Sequence, residues 1–151
     1  MNKYFLFFII IIGLSACKHQ AYYEENVIFE NADWNKFKTL EYQIPVEAGK
    51  TYSIEGIIIT DSNYIRRKVE IGFYLYLPSG EERLSDHVIR VLDYEFQHLG
   101  IKTQEGFEVR QFFKEGLSIS ESGMLKLNIV HHSQYLNNYG IKSFDLVVSE
   151  K

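Results

Sequence analysis

A strict period of two in Val69-Glu70-Ile71-Gly72-Phe73-Tyr74-Leu75-Tyr76-Leu77 constrains this chain more than any other feature. Every odd position is aliphatic or Phe, whereas the even ones are Glu, Gly and Tyr. Successive side chains of an extended strand point to opposite faces, so the run predicts a strand with one face in a core and one amphipathic face. The same period places Leu40, Tyr42, Ile44 and Val46 on one side, and it recurs in Leu125, Leu127 and Ile129 and in Phe144, Leu146 and Val148. Between Tyr52 and Thr60 the β-branched run Ile57-Ile58-Ile59 predicts a central strand covered on both faces.

Turn-forming clusters separate these runs: Glu47-Ala48-Gly49-Lys50, Asp61-Ser62-Asn63, Pro78-Ser79-Gly80, Glu121-Ser122-Gly123 and Asn137-Asn138-Tyr139-Gly140. Eleven Phe, 11 Tyr and one Trp add the aromatic bias of half-buried pleated strands. The fold class expected is therefore all-β, an antiparallel β-sandwich, jelly-roll-like or immunoglobulin-like, of about eight strands. Two segments are less determined. Val88 to Leu99 fits either a helical stripe closed by Gly100 or a strand, and the Pro78-Ser79-Gly80 turn upstream favours a strand reaching about as far as Tyr94. Ser133 to Asn138 is expected to form one helical turn within a loop.

The N-terminus has a different character. Lys3 is followed by an uncharged stretch from Tyr4 to Gly13 and then by Leu14-Ser15-Ala16-Cys17, the layout of a secretory signal. That stretch is too short to span a bilayer comfortably, since a helix needs roughly 20 apolar residues to cross the hydrocarbon core. Leu14 also disfavours ordinary signal-peptidase cleavage after Ala16, which wants small side chains one and three positions before the cut. Leu-Ser-Ala-Cys resembles instead the lipobox of bacterial lipoproteins, which implies diacylglycerol on the Cys17 thiol and cleavage just before it. Two or more acyl chains on one residue make a lasting membrane anchor where one holds only marginally. The other reading of Cys17 is a buried or free reactive thiol. The expected organisation is a signal peptide over 1–16, a lipidated tether over 17–25 and one domain over 26–151. Tyr22 and Tyr23 either sit at headgroup level or, preferably, open the first strand.

With 20 Asp and Glu against 16 Lys and Arg, the net charge of -4 leaves no general attraction to nucleic-acid phosphates. Nor is there a nucleophile elbow, a phosphate-binding Gly-rich loop, a His-Glu-x-x-His or an EF-hand loop. His131 and His132 are neighbours that a strand points to opposite faces, so they do not share a metal; His131 is expected to continue the inward row and His132 to lie outside. Glu24-Glu25 and Glu81-Glu82 read as surface charges beside turns rather than an acid-base pair. Arg66-Arg67-Lys68 reads as a solvated loop and a charged strand start that discourages edge pairing, with an acidic partner or lipid headgroups as its functional alternative. Tyr74, Tyr76 and Trp34 could form a stacking platform for sugars, but cover by a second sheet is the commoner arrangement for such residues. No catalytic, cofactor-binding or metal-ligating residue is expected; Cys17, as the lipid attachment site, is the sole candidate.

Several landmarks resemble the gliding-motility lipoprotein H family of Bacteroidetes-type bacteria. These are the lipobox, Trp34 in Asp33-Trp34-Asn35-Lys36, Asn63-Tyr64 followed by Val69 to Leu77 and Pro78-Ser79-Gly80-Glu81, Leu99-Gly100, Glu121-Ser122-Gly123, and Gly140-Ile141 before the last strand from Ser143. Asp145 stands where the family pattern has a glycine. The resemblance implies a non-enzymatic accessory component of a motility or secretion-associated assembly, attached to a membrane through Cys17 and touching other envelope proteins. Lys18-His19-Gln20 lacks the acidic run of some surface-exposed lipoproteins, which favours the periplasmic side of the outer membrane. The other expectation is a lipid-anchored carbohydrate-binding module.

Overall fold

The computed structural model describes residues 21–151. The signal segment, the lipobox and Cys17 lie outside the described residues. Among the described residues nine strands follow in order: β1 (Tyr23–Ile28), β2 (Leu40–Val46), β3 (Thr51–Thr60), β4 (Lys68–Tyr76), β5 (Glu82–Arg90), β6 (Ile101–Lys102), β7 (Phe107–Ser118), β8 (Gly123–His131) and β9 (Ile141–Glu150). They form two antiparallel sheets, β1-β9-β3-β7-β6 and β2-β8-β4-β5, packed as a β-sandwich. The short β6 takes the count one above the expected eight.

All four alternating runs face inward as their period requires. Val69, Ile71, Phe73 and Leu75 of β4, Leu40, Tyr42, Ile44 and Val46 of β2, Leu125, Leu127 and Ile129 of β8, and Phe144, Leu146 and Val148 of β9 are all buried in one core. The strand holding Ile57-Ile58-Ile59 is central, with β9 on one side and β7 on the other. Ile58 enters the core, while Ile57 and Ile59 are buried on the outer face, where Arg110, Asp145 and Glu108 are their register neighbours. The second face of this strand is thus covered by charged side chains rather than by another layer. On that face Arg110 pairs with Glu108 at 2.5 Å and approaches Glu55 at 3.8 Å.

Several expectations are corrected. The strand before the 91–100 loop ends at Arg90, short of Tyr94, and no helix forms. Val91 donates its N–H to Arg67 O, and Asp93 Oδ1 takes the N–H groups of Glu95 and Gln97, a local bonding pattern that turns the chain. Ser133 to Asn138 is a bend, not a helical turn. The first strand opens at Tyr23, opposite Val148, so residues 23–25 belong to the sheet rather than to the expected tether. β4 lies between β8 and β5, so its charged start guards no edge. Trp34 is fully buried, whereas Tyr74 and Tyr76 are half-buried on the outer face of β4, where no second sheet covers them among the described residues. The three therefore form no common platform. Asp145 faces outward and accepts a hydrogen bond from Asn26 Nδ2 across the β1–β9 pair. Burial holds its carboxyl above the ordinary range despite that bond.

The two ends of the sandwich differ. At the near end the chain enters at Tyr23; the tight turns 47–50 and 119–122 are tied together by Gly49 N–H to Ile119 O and Ala48 N–H to Ser122 Oγ, each 2.8 Å, and the 77–81 turn is closed by Leu77 N–H to Glu81 O at 2.9 Å. At the far end lie the long connections 29–39, 61–67, 91–100 and 132–140. Strands of about nine residues rising about 3.3 Å each separate the two ends by about 30 Å.

Candidate functional site: a cationic and aromatic cleft at the far end

Two adjoining depressions flank the Arg66-Arg67-Lys68 segment. One, about 560 Å³, lies between this segment, the end of β5 and the 91–100 loop; the other, about 610 Å³, runs towards the 132–140 loop.

The loops that shape them are held by a plug in the core. Trp34 stacks on Phe29 with ring centroids 5.0 Å apart, meets Phe144 at 5.6 Å, and donates its indole N–H to Lys38 O at 3.0 Å. Buried Asn138 then joins three loops: its Nδ2 donates to Trp34 O at 2.8 Å, its backbone N–H donates to Asp33 Oδ1 at 2.6 Å, and its Oδ1 accepts from Arg66 Nη1 at 2.9 Å. Gly140 follows at φ +92°, and a Cβ there would lie 2.9 Å from Tyr64 Cα, so the 61–67 and 132–140 loops approach closely only because this residue is glycine.

On this frame the arginines are positioned by aromatic rings. Arg66 lies 4.2 Å from the Tyr135 centroid, and Arg67 lies 5.1 Å from Tyr94 and 5.0 Å from Phe96. Such cation–π contacts fix the guanidinium plane; Arg67 donates to no side chain among the described residues, whereas Arg66 gives Nη1 to Asn138 and keeps its remaining N–H groups. Arg90 lines the first depression. Among the described residues, none of Arg66, Arg67 and Arg90 has a carboxylate within ion-pair distance. The acidic groups nearby are engaged elsewhere: Glu70 with Lys68 at 2.7 Å, Asp86 with His132 at 3.3 Å, and Asp93 with backbone N–H groups.

The histidines fall as their period requires. His131 is buried edge-on to Trp34 at 5.1 Å, and its Nδ1 accepts the Ser133 N–H at 2.8 Å. Burial first, then the Arg66 and His132 charges, lower its pKa to about 4, so it is neutral at physiological pH. Its Nε2 is buried without a partner among the described residues. His132 points to the other face, so the pair does not share a ligand, and no metal-binding group of His, Cys, Asp or Glu occurs among the described residues.

The paired carboxylates behave as surface charges. Glu81 is bound by Arg83 through two contacts of 2.7 and 3.1 Å, which lowers its pKa, and Glu25 accepts the Tyr23 hydroxyl. Arg66 is half-buried and bonded rather than solvated, so the loop reading of Arg66-Arg67-Lys68 is only partly right. Tyr94, Phe96, Tyr135, Arg90 and Asn138 were not singled out as site residues by the sequence, because nothing local links them to Arg66 and Arg67.

No family model and no curated protein matches the chain. Among solved structures the chain is similar to the periplasmic g-type lysozyme inhibitor PliG of Aeromonas hydrophila, at 13% identity and TM-score 0.33, covering 85% of this chain and 86% of that one. It is also similar to the VP2 subviral particle of infectious bursal disease virus, at 12% identity and TM-score 0.36, covering 85% of this chain and 31% of that one. Likeness at this level carries no argument about function.

Proposed function

We propose that the chain is a non-enzymatic lipoprotein, anchored to an envelope membrane by acyl chains on Cys17, that presents a protein-binding surface to a motility or secretion-associated assembly. The outer membrane, on its periplasmic side, is the location this reading favours. The observation that carries it is the opposition of the two ends. The chain enters the sandwich at Tyr23, a few residues after Cys17, beside short hydrogen-bonded turns. The unpaired arginines and exposed rings lie at the other end, about 30 Å away by strand length. An anchored domain would hold that end clear of the lipid, where a partner can reach it.

Two measurements test this. Cys17→Ala should leave an uncut precursor that takes up no labelled fatty acid while the sandwich still folds; normal labelling would end the lipobox argument. A photo-crosslinking residue at Leu136 should give discrete envelope adducts that one at Ser79, in a near-end turn, does not. Equal products from both positions would refute the far-end surface. The glycan-binding reading rests on Tyr74 and Tyr76, which stand half-exposed on the outer face of β4. Saccharide binding that disappears in Tyr74→Ala would favour it over protein docking.

A further inference from the structure

Deepening that reading, on which it rests, we propose that the far-end cleft docks an acidic segment of a partner protein, with Arg66 and Arg67 pairing to its carboxylates and the surrounding rings and aliphatic side chains receiving its apolar residues. The chain is acidic overall, yet Arg66, Arg67, Lys68 and Arg90 converge here, and among the described residues only Lys68 of the four is paired with a carboxylate. Asp93 and Glu70 also line the two depressions, yet the four basic groups outnumber them, and a net positive cleft on an acidic protein attracts anions over the Debye distance while the rest of the surface repels other acidic surfaces.

The geometry fits carboxylates in particular. Guanidinium groups held against Tyr135, Tyr94 and Phe96 lose little further side-chain freedom on binding, and their N–H forks match a carboxylate in two-point contact.

Apolar exposure identifies the rest of the occupant as polypeptide. Tyr94 is 80% exposed, Ile65 75%, Leu99 53% and Leu136 53%, all in the loops that border the two depressions. Arg and Tyr are residue types enriched at protein–protein hot spots, and the exposed aliphatic side chains around them supply apolar contact that excludes water. A sugar would use the rings but not Ile65, Leu99 or Leu136. An anionic lipid surface suits the arginines, but the far end faces away from the anchoring bilayer in the proposed arrangement.

The test uses the full lipidated chain in neutral detergent against an array of peptides whose acidic and apolar contents vary independently, with Lys-for-Glu counterparts and phosphatidylglycerol vesicles as comparisons. Binding should require both acidic and apolar residues and should weaken as salt rises. Arg67→Gln should reduce it by about 10-fold and the Arg66→Gln/Arg67→Gln pair by about 30-fold or more. Arg83→Gln, at the near end, should leave it unchanged. Arg67 makes ring contacts and no side-chain hydrogen bond among the described residues, so its single variant keeps the test independent of folding. Equal binding of Lys counterparts, unchanged affinity in Arg67→Gln, or vesicle binding without peptide binding would each overturn the proposal. If Cys17 is acylated and Leu136 gives its crosslinks while no acidic peptide binds, the anchored reading stands and this inference alone falls.

Discussion

Gly56 offers the sharpest test of how the core is packed. It lies in the middle of β3 with its face towards the other sheet, opposite inward-facing Leu146 of β9. A Cβ placed there would come within 2.1 Å of Phe113 Cε2, 2.5 Å of Phe113 Cζ and 2.9 Å of Phe144 Cζ. The Phe113 ring has little room to retreat: it stacks on Phe144 at 6.2 Å, meets Phe73 at 5.5 Å and His87 at 5.0 Å. Two effects compete in Gly56→Ala. Removing a glycine from a strand interior favours the fold by about 0.5–1 kcal/mol through the unfolded chain. Inserting a methyl into a filled core costs about 1–3 kcal/mol, and contacts this short put the cost at or above the top of that range. The net expectation is a loss of about 2 kcal/mol, or a fall in Tm of about 6–10 °C for a domain of this size. Urea denaturation followed by far-ultraviolet circular dichroism measures it. The double variant with Phe113→Leu should recover about 1 kcal/mol of coupling, because the shorter side chain vacates the space the methyl needs. A Gly56→Ala protein as stable as the parent would refute the stacked Phe113–Phe144 arrangement over this glycine.

Leu75→Asp places an unpaired charge in the fully buried row of β4 and should unfold the domain; a cooperative thermal transition near that of the parent would show the inward row misassigned. Asn138→Ala removes the donor to Trp34 O and the acceptor for Arg66, at an expected cost of about 2–3 kcal/mol in denaturant titration, and limited proteolysis should then cut in the 132–140 loop. His131 has a folded-state pKa of about 4, below its unfolded value near 6.5, so the folded protein holds fewer protons between those values. Its contribution to stability is complete above about pH 6.5 and is lost as pH falls towards about 4, amounting to about 3 kcal/mol. His131→Asn, which keeps an acceptor for the Ser133 N–H, should flatten the stability profile in that window, and an unchanged slope would assign the acid sensitivity elsewhere.

The alternating strands were legible in the sequence because their signal is steric and local. A residue in Val69 to Leu77 faces inward by its parity alone, and the same holds for β2, β8 and β9. β7 was not legible. Register shifts against β3 between Tyr52 and Glu55, with Gly116 at φ +64°, interrupt its period, so adjacent Phe112 and Phe113 carry no clear face until β3 is in place. β1 was legible only as a preference for Tyr22 and Tyr23 opening a strand, since Glu25 occupies an inward position opposite Leu146 at the edge of the sheet.

By itself the sequence determined the all-β class, the inward rows, the turns at Pro78-Ser79-Gly80 and Asn137 to Gly140, and the division of His131 from His132. Each depends on side chains no more than a few residues apart. The far-end cleft was decided by tertiary structure. Arg66 and Asn138 are 72 positions apart, and Tyr94 reaches Arg67 only because β4 and β5 pair in a register that sets Lys68 opposite Arg90. Strand parity fixes which way a side chain points, but strand order fixes which loops meet, and that order is a property of the assembled core.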